Sequence, residues 1–167
     1  MTIATNCEAL IAEIKRFSAE LLFLGAPIVD ARLEIFELQI QYLLPDDFKY
    51  ILTRHNKLSL MGIEVCGLDA AYGEGSLDRV YHFETRLAAN KAPAHFLPFS
   101  PDGFGNHYCL NLSEIKNGLC PVVFWQHDVF YEDPNDAEVC NDSFMNWVEE
   151  VMIEWTLNDY NYDGSEK

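Results

Sequence analysis

Two histidines and two aspartates in the middle of this sequence have the side chains best suited to metal binding or proton transfer. They are Asp102, His107, His127 and Asp128. Imidazole and carboxylate are the usual metal ligands and proton carriers, but the spacing here matches neither HExxH nor an EF-hand loop. Asp102-Gly103 is instead typical of a turn, because Asp bonds to nearby backbone amides and Gly accepts positive φ. We favour the turn over a small enzyme or metal protein, and predict no catalytic residue, no metal and no cofactor.

The glycine and cysteine patterns argue against further chemistries. Gly103 and Gly105 do not complete a GxGxxG fingerprint, and no helix pattern follows them that could hold a phosphate. The sequence also lacks a GxSxG nucleophile motif. Its five cysteines are odd in number and include no CxxC pair, so neither a zinc ribbon nor a disulfide scaffold is predicted. We expect free thiols.

The net charge of −16 is concentrated toward the C-terminus. Residues 1–117 contain 15 acidic and 10 basic side chains, a net charge of −5, whereas residues 118–167 contain 12 acidic and one basic, a net charge of −11. A negative field repels nucleic acid and anionic membranes and attracts basic proteins. We therefore expect a protein partner rather than nucleic acid or membrane, with solubility as the alternative role of the charge.

The acidic segment 128–142, with the end of the strand before it, is the candidate partner-binding surface. Complementary charge raises association rates and selects partners, and aromatic side chains are frequent anchors at protein interfaces. The predicted contact residues are Trp125, Asp128, Tyr131, Glu132, Asp133, Asp136 and Glu138. A solvated loop without a partner is the alternative, and the sequence leaves the two open.

Apolar periodicity and turn residues predict helices on both sides of a group of strands. The predicted helices cover residues 6–24, 30–44, 46–56 and 76–89, with a last helix that begins at Ser143. The predicted strands cover residues 61–66, 94–99, 107–111 and 121–126. In the last helix, Trp147 and Trp155 share the spacing of a core-facing stripe.

This order predicts a single α+β domain, with a twisted antiparallel or mixed sheet flanked by helices. Residues 1–29 would form an N-terminal helical extension packed on the domain, residues 30–157 the domain itself, and residues 158–167 a frayed polar tail. The N-terminus lacks the pattern of a signal peptide, and no apolar run reaches the length of a membrane span. We expect a cytoplasmic protein of undetermined oligomeric state.

Three blocks of the sequence resemble the SUKH superfamily, which includes the fungal Smi–Knr cell-wall regulators and many bacterial immunity proteins. Residues 31–56 are similar to its opening helix, Leu-Pro break and acid-capped helix, and residues 97–113 to its strand, Asp-Gly-x-Gly-Asn turn and strand. Residues 121–128, followed by 143–151, are similar to its Val-aromatic strand and closing helix. The chain departs from the family pattern at Asn56-Lys57, where Asn-Gly is usual, and through residues 58–93.

The resemblance implies an α+β fold with helices packed on a twisted sheet, and binding rather than catalysis. The bacterial proteins that the chain resembles neutralise secreted or contact-delivered toxins, which are often nucleases. Nucleases tend to be basic because they hold phosphate. A cytoplasmic immunity-type protein that binds a cognate basic toxin is therefore the expected function. The alternative is a regulatory module that docks on a cellular protein.

Overall fold

Seven short strands form two antiparallel sheets. The computed structural model describes residues 1–167. The first sheet has the order β1-β2-β3 and the second the order β4-β5-β6-β7. The strands are β1 (Leu22–Leu24), β2 (Leu58–Leu60), β3 (Ile63–Val65), β4 (Phe96–Pro101), β5 (His107–Asn111), β6 (Val122–Trp125) and β7 (Glu138–Asn141). A backbone hydrogen bond of 2.8 Å from Cys66 to Phe99, beside β3 and within β4, joins the sheets. The predicted α+β class is confirmed, with antiparallel rather than mixed pairing.

Helices precede, interrupt and follow the strands. They are α1 (Ile3–Ile14), α2 (Asp30–Ile40), α3 (Asp46–Arg54), α4 (Leu77–His82), α5 (Phe144–Trp147) and α6 (Trp155–Asp159). A π-helical segment, Phe83–Leu87, extends α4, and a second, Val148–Glu154, joins α5 to α6. We call the continuous helix over residues 144–159 the C-terminal helix. Ser143 caps it as predicted, because its hydroxyl accepts a hydrogen bond of 3.2 Å from the Asn146 amide.

The predicted helix over residues 6–24 is wrong at both ends. Helix α1 begins after Thr2, whose hydroxyl accepts a hydrogen bond from the Thr5 amide, and ends at Ile14. Leu22–Leu24 is instead an edge strand paired with Leu58–Leu60. The apolar residues of this strand continue the helical spacing of the residues before them, which explains the wrong prediction. Their backbone groups bond instead to β2, a strand more than 30 residues later in the chain.

The strand predicted over residues 61–66 is present as β3 (Ile63–Val65), but its partner β2 (Leu58–Leu60) was not predicted, and the two form a β-hairpin. Met61 and Gly62 form its two-residue turn, with φ values of 49° and 82°. Such turns need positive φ at both central positions and usually contain Asn-Gly or Asp-Gly. Met61 gives no local signal for a turn, so the hairpin could not be recognised from the sequence.

The main core lies between the helices and one face of the second sheet. Phe48 of α3, Phe99 of β4, and Phe144 and Trp147 of the C-terminal helix are all fully buried. The Phe48 and Phe144 rings lie 4.9 Å apart and those of Phe99 and Trp147 4.8 Å apart, in the edge-to-face geometry that aromatic pairs favour. A smaller cluster covers the opposite face of this sheet and includes Trp125.

The π-helical segments change which side chains face the core. Trp147 is buried as predicted, but Trp155 is 46% exposed, so the prediction that Trp155 belongs to the core is wrong. In the helix predicted over residues 76–89, the apolar spacing of Phe83 and Leu87 likewise favours a core-facing position, but both side chains are exposed. Bonding between residues i and i+5 adds roughly one residue to a turn and rotates the side chains that follow.

The C-terminal residues are ordered rather than frayed, which corrects the predicted tail. The Tyr162 ring packs on Phe17 at 4.7 Å, and the Arg16 guanidinium lies 3.9 Å above the same ring. The backbone carbonyl of Tyr162 accepts a hydrogen bond of 2.8 Å from the Ser18 amide. These contacts hold the end of the chain against the segment after α1.

Candidate protein-binding site

The turn between β4 and β5 uses Asp102 as a structural cap. Its Oδ1 accepts hydrogen bonds from the amides of Phe104 (2.8 Å) and Asn106 (3.0 Å), and its Oδ2 accepts one from the Asn106 side chain (2.8 Å). Desolvation acts to raise the pKa of Asp102, but the bonds from Phe104 and Asn106 outweigh it and lower that pKa. This carboxylate is committed to the turn that the sequence predicted.

The two histidines of the same region lie in different surroundings. His127 donates its backbone amide to Asn106 Oδ1 (3.1 Å), and its ring Nδ1 lies 2.9 Å from the same oxygen. His107 is buried, with Nδ1 3.8 Å from Glu84 Oε1. Asp128 is exposed. No group of three or more His, Cys, Asp or Glu side chains is placed to hold a metal ion.

The segment that follows β6 folds back over the second sheet. The Asn90 side chain donates hydrogen bonds to the carbonyls of His127 (3.1 Å) and Val129 (2.7 Å). Tyr131 packs against Trp125 in a tilted arrangement with ring centroids 4.8 Å apart, and its hydroxyl accepts a hydrogen bond from the Gln126 amide. The loop is therefore anchored on its inner side.

These contacts separate the predicted contact residues into exposed and buried members. Trp125 is only 2% exposed, so it cannot act as a surface anchor, and Tyr131 is half-buried against it. The five carboxylates predicted at this surface are all exposed: Asp128, Glu132, Asp133, Asp136 and Glu138. The exposed aromatic residue of this loop is Phe130, whose side chain is 85% exposed.

The acidic segment 128–142 was predicted to be a loop throughout, but its last part forms a strand. β7 (Glu138–Asn141) pairs antiparallel with β6, with Val139 opposite Val123 and Glu138 opposite Phe124. The strand is short and includes a charge and an amide, which are uncommon in strand interiors. Its pairing depends on β6, so the residues of β7 alone gave little signal.

Three adjoining depressions surround the C-terminal helix. The first lies between this helix and α1, the second between it and β7, and the third between it and strands β5 to β7. Six carboxylates line them: Glu13, Glu138, Asp142, Glu149, Glu150 and Glu154. No Lys or Arg lines any of the three. We call this surface the acidic face.

The third depression adds exposed apolar groups to the acidic face. Its volume is about 370 Å³, and Tyr108, Phe124 and Trp155 contribute aromatic side chains to its lining. The Asn141 side chain donates a hydrogen bond of 2.6 Å to Glu150, which ties β7 to the C-terminal helix. An exposed Trp among charged side chains is a common composition for an interface anchor. Trp155 was predicted to lie in the core, and Glu149, Glu150 and Glu154 were not among the predicted contact residues.

A solved structure shares this architecture. The chain is similar to the crystal structure of a protein from Pseudomonas syringae pv. tomato, with a TM-score of 0.61 over 88% of this chain and 98% of that chain. The sequence identity is 19%, so the likeness concerns the fold. Two antiparallel sheets with flanking helices define a single α+β domain.

A model of the SMI1 / KNR4 family (SUKH-1) matches residues 27–150. Because this range includes well over half of the chain, the chain belongs to the SMI1 / KNR4 family, and the resemblance to the SUKH superfamily is confirmed. The family is generally non-catalytic and immunity-type, and membership is consistent with an immunity or regulatory role in which the domain binds a protein. None of the helices combines the length and apolar character needed to cross a bilayer.

Proposed function

We propose that this protein is a non-catalytic, cytoplasmic immunity-type protein that binds and neutralises a cognate basic toxin, with a nuclease-like toxin as the partner class. The observation that supports this proposal most strongly is the acidic face, which is lined by six carboxylates and by no Lys or Arg; of the six, only Glu13 is paired with a basic side chain, that of Arg16. The exposed carboxylates of the loop from Asp128 to Glu138 extend the same charge.

A nuclease is a fitting target for such a surface because its own site is basic. Lys and Arg side chains that hold phosphate can bind carboxylates instead, so an acidic protein can occupy the surface meant for nucleic acid. Opposite charges also steer the two proteins together, and this acceleration weakens as salt screens the field. The proposal therefore requires association that is fast at low ionic strength and slower at high ionic strength.

The proposed interface combines predicted and newly located residues. Its charged members are Asp128, Glu132, Asp133, Asp136 and Glu138 from the loop and β7, together with Asp142, Glu149, Glu150 and Glu154. Trp155 takes the anchoring role that the sequence had given to Trp125, because 46% of Trp155 is exposed. Tyr131 contributes at most the edge of its half-buried ring.

The experiment is co-expression with the toxin domain encoded beside this gene, followed by a growth assay and size-exclusion chromatography. We expect the wild-type chain to restore growth and to elute as a complex with the toxin domain. The triple variant Glu149→Lys, Glu150→Lys, Glu154→Lys should lose both effects. The matched control is the triple variant Glu20→Lys, Asp30→Lys, Glu34→Lys. It changes the net charge by the same amount at exposed positions outside the acidic face, and it should retain both growth rescue and complex formation.

Two outcomes would count against the proposal. Continued growth inhibition by the toxin with the wild-type chain, without a complex, contradicts toxin neutralisation. Equal loss in both triple variants would show that net charge rather than the acidic face is responsible. Isolation of a complex with a resident cellular protein would instead favour the regulatory role.

A further inference from the structure

The outer edge of β7 is unpaired. β7 is the last strand in the order β4-β5-β6-β7, whereas the opposite edge strand, β4, has β3 beside it through the Cys66–Phe99 hydrogen bond. Unpaired backbone N–H and C=O groups of an edge strand can bond to an extended segment of another chain. All four residues of β7 are exposed or half-buried, so this edge is accessible.

A depression that could receive side chains of such a segment lies over β5 to β7, next to the C-terminal helix. The third depression of the acidic face includes Glu138, Val139, Cys140 and Asn141 of β7 in its lining, together with Trp155. Val139 is 59% exposed and Trp155 46% exposed. In strand addition the backbone bonds give affinity, while pockets for alternate side chains give selectivity.

The charge around β7 selects the kind of segment that fits. Glu138 lies within the strand, Asp142 follows it, and Glu150 bonds to Asn141 from the C-terminal helix. Pairing of two β7 strands from separate copies would bring carboxylates of both together, and like charges across strands destabilise a pair. A basic segment instead finds an opposite charge at each of these positions.

We propose that the partner adds an extended, basic segment to the edge of β7, with an apolar side chain against Trp155 and basic side chains beside Glu138, Asp142 and Glu150. This inference rests on the proposed function and specifies how the partner binds. This binding mode differs from one in which the partner contacts only side chains of the acidic face. It also requires that Glu138–Asn141 gain backbone hydrogen bonds in the complex.

Synthetic peptides test the backbone pairing directly. The probe is an eight-residue peptide of alternating Lys and Val, and its control is the same peptide N-methylated at alternate residues, which keeps the charge but removes donors along one edge. Amide signals of the isotope-labelled full chain are followed by NMR. We expect the unmethylated peptide to shift and protect the amides of residues 138–141, and methylation to weaken binding at least about tenfold. Equal affinity of the two peptides, or shifts confined to other surfaces, would overturn strand addition.

Variants and the natural partner separate this inference from the proposed function. Val139→Lys places a positive charge on β7 and should weaken toxin-domain binding by about tenfold or more, whereas Val29→Lys, at a similarly exposed position outside the acidic face, should change it by less than about threefold. If the toxin domain binds but Val139→Lys has no effect and residues 138–141 gain no protection, strand addition is wrong and neutralisation stands. A chain that dimerises through β7 would overturn the inference as well. If the wild-type chain does not bind the toxin domain, the proposed function itself fails.

Discussion

Asp47 joins two helix ends in the core, and its replacement by Asn should alter the pH dependence of stability. The side chain is fully buried. Oδ1 accepts a hydrogen bond of 2.9 Å from the Phe48 amide, and Oδ2 accepts one of 3.0 Å from the Met145 amide, 98 residues later. These amides lie in the first turns of α3 and α5, where backbone donors lack helical partners.

Two effects of Asp47→Asn can be estimated from this geometry. Asn retains one acceptor but places its NH₂ group opposite the other amide, and an unsatisfied buried donor costs about 1–3 kcal/mol. Burial raises the pKa of Asp47 to about 6 from its usual 3.8, even though the bonds from Met145 and Phe48 oppose the shift. Because the folded-state pKa is the higher one, the stabilisation from the protonated carboxyl is complete below about pH 4 and is lost as the pH rises through about 6. A shift of roughly two pKa units corresponds to about 3 kcal/mol.

We therefore predict a stability difference between wild type and Asp47→Asn that changes with pH. At about pH 4 the variant should be less stable by about 1–3 kcal/mol, and the gap should close, or reverse slightly, by about pH 7 as the wild-type carboxyl ionises. Urea unfolding followed by Trp fluorescence measures both free energies of unfolding across this range. Asp46→Asn is the matched control, because it removes a charge from the same helix end and leaves the buried carboxyl in place. A wild-type–Asp47→Asn difference that stays constant over the whole range would refute the reasoning.

Three further predictions concern the core and the thiols. Trp147→Ala should lower the free energy of unfolding by about 3–5 kcal/mol because the ring is fully buried, whereas Trp155→Ala, about half exposed, should cost less than about 2 kcal/mol. Asn56→Ala should cost about 2–4 kcal/mol in the same urea assay, since the Asn56 side chain bonds to both the amide (2.8 Å) and the carbonyl (3.1 Å) of Leu68. A thiol reagent should modify Cys140 first in the native chain, because the other four cysteines are buried and should react only after unfolding. Burial raises the pKa of Cys140 to about 11, so even its reaction should be slow near neutral pH.

Each of these predictions has a contrary result. Equal losses of unfolding free energy in Trp147→Ala and Trp155→Ala would contradict the outward position of the Trp155 side chain after the π-helical segment. A cost below about 0.5 kcal/mol for Asn56→Ala would show that water replaces the bonds to Leu68. Rapid modification of several thiols in the native chain would mean that the core opens frequently.

The local signals in the sequence were sufficient for the turn and strands around residues 97–128. Asp102, Gly103 and Asn106 form the predicted turn through bonds within five residues, and strands 107–111 and 122–125 follow as expected. The family resemblance came from this same stretch. Structure that depends on nearby residues could therefore be predicted.

Structure that depends on distant pairing could not. β1 and β7 are strands because β2 and β6 lie beside them, and their own residues do not require it. The exposure of the two Trp residues near the candidate site also differs from the prediction, but for other reasons. A returning loop covers Trp125, and a π-helical segment turns Trp155 outward, neither of which has a signature in the apolar spacing.

The most direct test of the central claim is a binding titration between the full chain and a candidate basic toxin domain from a neighbouring gene, at low and at raised salt. We predict a complex that weakens at least about tenfold as salt rises from about 50 to about 500 mM, because charge drives the association. Reversal of Glu149, Glu150 and Glu154 should abolish the complex, while reversal of Glu20, Asp30 and Glu34 should preserve it. Absence of a complex, or an affinity unaffected by reversal at the acidic face, would contradict the claim that this surface binds and neutralises a basic partner.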